Sequence, residues 1–372
     1  MFNDFVGFLH TTHKRQDGML PRGNSGLWFS YVLERPQRRF SYEKWGLARW
    51  LPVDGLAVVL PVSCPVLRCA GSKLICWAAA LVVRLAVPVP VSAQELEPGA
   101  YWPIPVGLNV LTVANSFNWG DVAFDPAAPI DEASARINTV AISLTHAFSL
   151  AGRSANAVVL LPVVGGRVEG LYLGEPADVG RFGLGDPRLR FAVNLYGAPE
   201  MTPQAYVAYR QGTLVGVSLS VAPPLGQYDP DRLINLGTNR WSFKPEVGVS
   251  KTFGRWVVEA MAGIWLFTDN DDFVGGRTRE QDPVAAVQLH LTYRFRRNVW
   301  LAGDANYFTG GRTTIAGKQN VDLQRNSRIG ATFSSALDNH QAIRMSISRG
   351  AYTTIGADFV AVAVGYNYAW AN

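Results

Sequence analysis

From residue 105 onward the chain alternates apolar with small or polar residues in segment after segment. In the last of these, Val360, Val362, Val364, Tyr366, Tyr368 and Trp370 share one parity, and Ala361, Ala363, Gly365, Asn367 and Ala369 the other. Ala285, Val287, Leu289, Leu291, Tyr293 and Phe295 alternate with Ala286, Gln288, His290, Thr292 and Arg294, and shorter runs at 212–222 and 341–349 do the same. Successive side chains of a strand point to opposite faces, so each run predicts a strand with one apolar face. Twelve strands are predicted, near 106–118, 136–149, 155–165, 185–197, 212–222, 241–252, 255–267, 284–296, 298–309, 326–336, 341–350 and 358–370.

A soluble antiparallel sandwich alternates in the same way, so other features must decide. These segments run about 10–13 residues, which suits a tilted bilayer crossing better than a soluble strand of about 5–6. Trp241, Trp256, Trp300, Tyr307, Phe308 and Trp370 gather at strand ends, as interfacial girdles do. Connections alternate between short (150–154, 252–255, 296–298, 337–340) and long (119–135, 166–184, 224–240, 268–283, 310–325). The one exception, 198–211, reads as a short periplasmic helix capped near Thr202-Pro203. The expected fold is all-β: an antiparallel up-and-down transmembrane β-barrel, closed so that no peptide group faces lipid unpaired. An even strand count puts both ends on the short-turn, periplasmic side of a bacterial outer membrane. The last strand closes on Trp370 but continues to Ala371-Asn372, a small departure from the terminal aromatic that barrel assembly machinery reads.

Composition sharpens this picture once the chain is divided. Residues 1–93 carry 11 Lys+Arg against 5 Asp+Glu, whereas 94–372 carry 23 against 24. The basic excess therefore belongs to the N-terminal part, and nucleic acid is not an expected partner of the rest. Cys64, Cys69 and Cys76 all precede residue 94, which removes disulfides, thiolate metal sites and a Cys nucleophile from the remainder. Residues 68–93 read as a secretory signal: Arg68 and Lys73, an apolar core from Leu74 to Val83, then Val91-Ser92-Ala93. Residues 1–67 read as a disordered extension or as sequence upstream of a true start near Val66 or Leu67. The barrel is assigned to 94–372 and the Gram-negative outer membrane, with lipid, lipopolysaccharide, the assembly machinery and a small solute as partners.

Charged residues on the inward parity are the first site candidates: Arg190, Glu246, Glu259, His290, Arg294, Asp304, Arg328 and Arg344. An Arg on the lipid face costs roughly 2–4 kcal/mol at the midplane, which favours facing these inward. They predict either a mixed-sign constriction that selects solutes or an ion-pair network that stiffens a narrow barrel. The loop containing Gln227, Tyr228, Asp229, Asn239, Arg240 and Trp241 reads as a gate at the mouth or as a self-packed rim. Asp269, Asn270, Asp271 and Asp272 lack the spacing of a calcium loop and read as an acidic turn. Tyr101-Trp102-Pro103-Ile104-Pro105 is a candidate plug for the lumen. No metal or cofactor site is expected, and His146, His290 and His340 adjoin no nucleophile motif, so an enzyme is not expected.

The segments GLGDPRLRFAVNLYGAP (183–199), APPLGQYDPDRLINLGTNRWSFKPEVGVS (222–250), LFTDNDDFVGG (266–276) and EQDP (280–283) occur in order. They resemble the meta-pathway phenol degradation family of outer-membrane proteins, across about residues 95–370. The resemblance implies a barrel channel or transporter for passive uptake of small aromatic or hydrophobic compounds. Two further classes stay open from the residues alone: a structural or adhesion barrel with a sealed lumen, and an outer-membrane lipid-modifying enzyme.

Overall fold

The computed structural model describes residues 96–123, 130–172, 174–232, 234–296 and 298–371. The segments assigned to the extension (1–67) and the export signal (68–93) lie outside the described residues. In chain order the strands are β1 (Leu108–Ala123), β2 (Ile130–Leu150), β3 (Arg153–Tyr172), β4 (Glu175–Leu184) and β5 (Arg188–Tyr196). A short helix α1 (Pro203–Ala208) then leads to β6 (Thr213–Ala222), β7 (Ser242–Phe253) and β8 (Trp256–Phe267). Next come β9 (Asn270–Phe273), β10 (Arg277–Gln281), β11 (Val284–Arg296) and β12 (Val299–Gly310). The chain ends through β13 (Thr313–Ile315), β14 (Lys318–Gln319), β15 (Gln324–Ala336), β16 (Gln341–Tyr352) and β17 (Gly356–Ala371).

The main sheet runs β2-β1-β17-β16-β15-β12-β11-β8-β7-β6-β5-β3, and β3 pairs back onto β2 to close it. Strand β3 pairs with β5 over Ala155–Leu160 and with β4 over Val163–Tyr172. Thus β4 and β5 are two halves of one stave, and the barrel has the twelve antiparallel staves expected. The turn after β2 is tight because Ala151 and Gly152 both take positive φ, 49° and 73°, the hairpin geometry that matches strand twist. Helix α1 starts where the Thr-Pro pair predicts, with Thr202 Oγ1 accepting the Ala205 N–H at 3.2 Å.

The barrel is inside-out relative to a soluble protein. Leu144, Leu161, Val249, Leu289, Ile329 and Ile347 are exposed on its outer surface. Lys244, Glu246, Glu259, His290, Asp304 and Arg328 are buried on the inner one. A contiguous exposed apolar belt is tolerable only where hydrocarbon is the solvent. Aromatic pairs rim it: Trp256 on Tyr293 and Tyr368 on Trp370 at the short-turn end, Trp241 on Phe243 at the other. Trp300 and Phe308 depart from the girdle expected of them. Trp300 is only 5% exposed, and its even parity on β12, shared with Ala302 and Asp304, turns it into the barrel.

Two expected long loops are strand instead. The β2–β3 ladder runs from Leu150↔Arg153 out to Ile130↔Tyr172, and β3–β4 continues to Tyr172↔Glu175. These hairpins project past the membrane, where neither face meets lipid and alternation is no longer imposed. Arg167 and Asp178 pair across them at 2.8 Å. The loops after β8 and β12 fold into a separate four-stranded sheet, β14-β13-β10-β9, over the apolar cluster Phe273, Val274 and Ile315.

Two of the family-like segments, 183–199 and 222–250, meet at one point. Between β4 and β5 the chain breaks at Gly185-Asp186-Pro187. The Asp186 carboxylate accepts from Gly226 N at 2.9 Å and from Thr238 N and Oγ1 at 2.8 Å each. A Cβ on Gly226 would lie 2.6 Å from Asp186 N, and one on Gly237 would lie 2.8 Å from the Gly226 carbonyl carbon. The loop therefore closes this tightly only with glycine at both positions. Asp186→Ala removes three hydrogen bonds to a charged acceptor, each worth about 1.5–3 kcal/mol. The expected result is a barrel that still shows heat-modifiable mobility on gels but is cut by protease within 224–240 at least about tenfold faster; unchanged cleavage would place the anchor elsewhere.

Candidate functional site

The lumen is occupied by the chain's own residues 96–107, which enter from the short-turn end. Gly107 N donates to Ala147 O at 2.9 Å and Val106 N to Met201 O at 2.8 Å, tying the segment to the periplasmic rim. Ile104 then exchanges contacts with the Ser154 hydroxyl, and the chain turns over Gly99, whose carbonyl accepts from Trp102 N at 3.0 Å. Deeper still, Gly99 N donates to Glu259 Oε2 at 3.0 Å and Glu97 N to Gln288 Oε1 at 3.4 Å.

Tyr101 is the anchor. Gly216 and Gly248 stand opposite each other on β6 and β7 and leave a slot in the wall. A Cβ on either would fall 2.3 and 2.2 Å from the Tyr101 ring, so the slot fits this ring and excludes any side chain. Ala192 and Met261 close the sides. The phenol oxygen reaches Ser218 Oγ at 3.0 Å and donates to Glu246 Oε1 at 3.1 Å, while the Arg190 guanidinium stacks 5.1 Å from the ring centre. Burying such a ring contributes roughly 1.5–3 kcal/mol before its polar contacts are counted. Trp102 continues the pattern between Arg294, 4.3 Å above its ring, and Trp300, edge-on at 5.5 Å; Arg344 in turn covers Trp300 at 5.3 Å.

Of the eight lumen candidates, Arg190, Glu246, Glu259 and Arg294 touch the plug directly, and Arg344 reaches it through Trp300. His290 and Asp304 lie behind it as a fully buried pair, Nδ1 to Oδ1 at 2.7 Å, with Thr332 donating to the second Asp304 oxygen at 2.6 Å. Arg328 bonds Ser348 Oγ at 3.0 Å and Phe359 O at 2.6 Å. His146 faces outward and bonds Asn109 at 2.8 Å, and His340 sits on the turn after β15, so the three histidines do not converge.

The loop candidates form a rim. Tyr228 donates to Asp272 O at 3.0 Å, Asn239 bonds Asn270 at 2.9 Å, and Asp229 pairs with Arg232 at 2.7 Å. Asn270, read as part of an acidic turn, is fully buried and knits this loop to β9. Gln227 binds Leu184 O through its backbone N–H, Arg240 bonds Gln281, and Trp241 turns out to the membrane rim. Above the plug and inside this rim lies a cavity of about 290 Å³ whose walls include Arg188, Arg240, Lys244, Trp265 and Arg279. Of these, sequence reasoning singled out Arg240 as a loop candidate but gave no role to the facing Gly216 and Gly248, to Ser218, or to Arg188, Trp265 and Arg279; inward parity was the only signal at the barrel-strand positions.

The family model described as "Putative MetA-pathway of phenol degradation" matches residues 116–358. Among solved structures, an outer-membrane channel from Pseudomonas putida F1 superposes with a TM-score of 0.64 at 23% identity, covering 74% of this chain and all 100% of that one. The KdgM porin bound to oligogalacturonate (TM-score 0.39, 7% identity, 70% and 98% covered) also matches. So does the CymD monoaromatic hydrocarbon channel (TM-score 0.37, 11% identity, 72% and 90% covered). No curated protein sequence matches significantly.

Replacing Gly248 by Val forces Tyr101 from its slot. With Cys64, Cys69 and Cys76 changed to Ser and a reporter Ala100→Cys, impermeant maleimide should label G248V at least about tenfold faster than the Gly248 protein, a shift of about 1.4 kcal/mol in plug seating. Equal rates would mean that the slot does not seat the plug.

Proposed function

The chain belongs to this phenol-degradation family, and from that premise we propose that it is a gated outer-membrane channel through which small aromatic or hydrophobic molecules diffuse inward. One observation carries the reading. The lumen is filled by a segment seated through a glycine slot and scattered polar contacts rather than by a strand ladder, so it can leave without unzipping the wall. The inward residues it would uncover, among them Glu246, Glu259, Arg190 and Arg294, then form a polar ring of both signs, the chemistry of a passage rather than of a core. The family's description ties it to phenol breakdown, and the Pseudomonas putida protein of the same fold is named a channel; both support the class. A concentration gradient supplies the driving force, and no cofactor is required. The separation of His146, His290 and His340 supports a non-enzymatic barrel over a lipid-modifying one.

The test is uptake of labelled phenol, benzoate and a similar-sized sugar into proteoliposomes containing the purified protein. Aromatics should enter several-fold faster than through protein-free lipid and faster than sugar, and G248V should raise all three rates. Unenhanced leakage of all three solutes, in both proteins, would leave a sealed structural barrel as the reading.

A further inference from the structure

The cavity above the plug has a chemistry that neither the barrel nor the gating requires. Its charged lining consists of the guanidinium groups of Arg188, Arg240 and Arg279 and the ammonium of Lys244, against the single carboxylate of Asp186. That carboxylate is turned to the backbone of Gly226 and Thr238 as the loop anchor. Glu246, one step below, pairs with Lys244 at 2.7 Å, which still leaves the excess positive. Arg240, Lys244 and Arg279 are 4%, 3% and 1% exposed, so the field they set up acts in a water-poor pocket where screening is weak.

The cations are interleaved with aromatic rings. Arg188 and Lys244 lie 5.5 and 5.7 Å from the centre of Trp265, and Arg240 lies 4.5 Å from that of Phe267. Pro162, Val164, Ala286 and Ile355 supply apolar wall. A volume near 290 Å³ is at the lower end of the roughly 300–1,000 Å³ usual for small-molecule sites, so the space admits about one substituted ring. A neutral hydrocarbon would use the rings and apolar wall but gain nothing from the cations. An inorganic anion would use the cations but gain nothing from the rings.

We propose that this vestibule is a capture site for small aromatic carboxylates, whose anionic group meets the Arg188–Arg240–Arg279 face while the ring lies against Trp265 and Phe267. This names a substrate class for the channel and rests on the channel reading. It also places the protein ahead of reactions that open or oxidise an aromatic acid, since a catabolic enzyme of that class would consume what the vestibule collects.

Binding to the purified full chain in detergent, followed by calorimetry, separates the two readings because it needs no flux. Benzoate should bind saturably at least about tenfold more tightly than benzyl alcohol or benzylammonium, and more tightly than inorganic phosphate. Arg188→Gln should lose most of the benzoate preference, Arg188→Lys should keep it, and Arg188→Glu should shift preference toward benzylammonium. Arg188 is half-buried and wall-mounted, so these variants spare the buried Arg279. Equal binding of benzoate and benzyl alcohol, or an undiminished preference in R188E, overturns the carboxylate site. Phosphate binding as well as benzoate overturns its aromatic half. If benzoate binds as described but no solute crosses proteoliposomes, the site stands and the channel reading falls; flux without charge preference is the reverse.

Discussion

A peptide N–H or C=O that faces hydrocarbon has no water to bond, and the cost of leaving it bare sets the terms for everything else in this molecule. The ladder must close, so β3 has to serve β2 along its whole length on one edge and both β4 and β5 on the other. That second edge is where closure is hardest. Pro162 on β3 and Pro187 across from it each lack an N–H, and the ladder skips from Leu160↔Arg188 to Val163↔Leu184. A single bond, Gly185 N to Pro162 O at 3.0 Å, bridges the gap, and Asp186 is freed from pairing to hold the loop. The same interruption lines the vestibule through Pro162, Val164, Gly185 and Asp186. The place where the wall is least regular is thus the place where a pocket fits.

Closure also fixes what the interior must do. A strand that puts leucine and valine into lipid puts its other parity inward, and here that parity carries carboxylates, guanidinium groups and a buried imidazole. Each costs several kcal/mol if left without partners away from water. Some are satisfied within the wall, as the Asp304 carboxylate is by His290 Nδ1 on one oxygen and the Thr332 hydroxyl on the other. Others are satisfied by the plug: Gly99 N–H on Glu259, the Tyr101 hydroxyl on Glu246, and ring faces under Arg190 and Arg294. The plug is therefore held by groups that water could replace. A lumen fully paired within its own wall would gain nothing from such a segment.

How much of this could be read from the sequence follows from the same constraint. Within the bilayer, parity is enforced by two solvents, and all twelve staves were legible, those from β6 onward within about two residues of their ends. Outside it the enforcement stops. Segment 166–184, with Gly165, Gly166, Gly170, Gly180 and Gly183 in or beside it, reads as loop although its backbone stays in ladder. Trp300 was misread because residue type was weighed above parity: tryptophan suggests an interface, but its place beside Ala302 and Asp304 on β12 points inward. Parity alone singled out the eight charged candidates, four of which lie against the plug. The Gly216–Gly248 slot was not, because nothing in either segment states that the two glycines face each other. That depends on the β6–β7 register, set by a loop whose length carries no pairing signal.

The vestibule and the plug seat differ in sign, and the difference has a use. Above, guanidinium groups outnumber carboxylates; below, the inward charges are of both signs, Glu246, Glu259 and Asp304 among Arg190, Arg294, Arg344 and His290. A site that only attracted anions would keep them, because conduction needs binding strong enough to enter and weak enough to leave. Lys244 marks the boundary: its ammonium lines the vestibule while its 2.7 Å partner, Glu246, belongs to the seat of Tyr101. Displacing Tyr101 would withdraw a hydrogen bond from Glu246 and leave its carboxylate to bind Lys244 more fully, which weakens the hold of that cation on a captured anion. Opening the lower passage and loosening the upper site are then consequences of one ring leaving one slot.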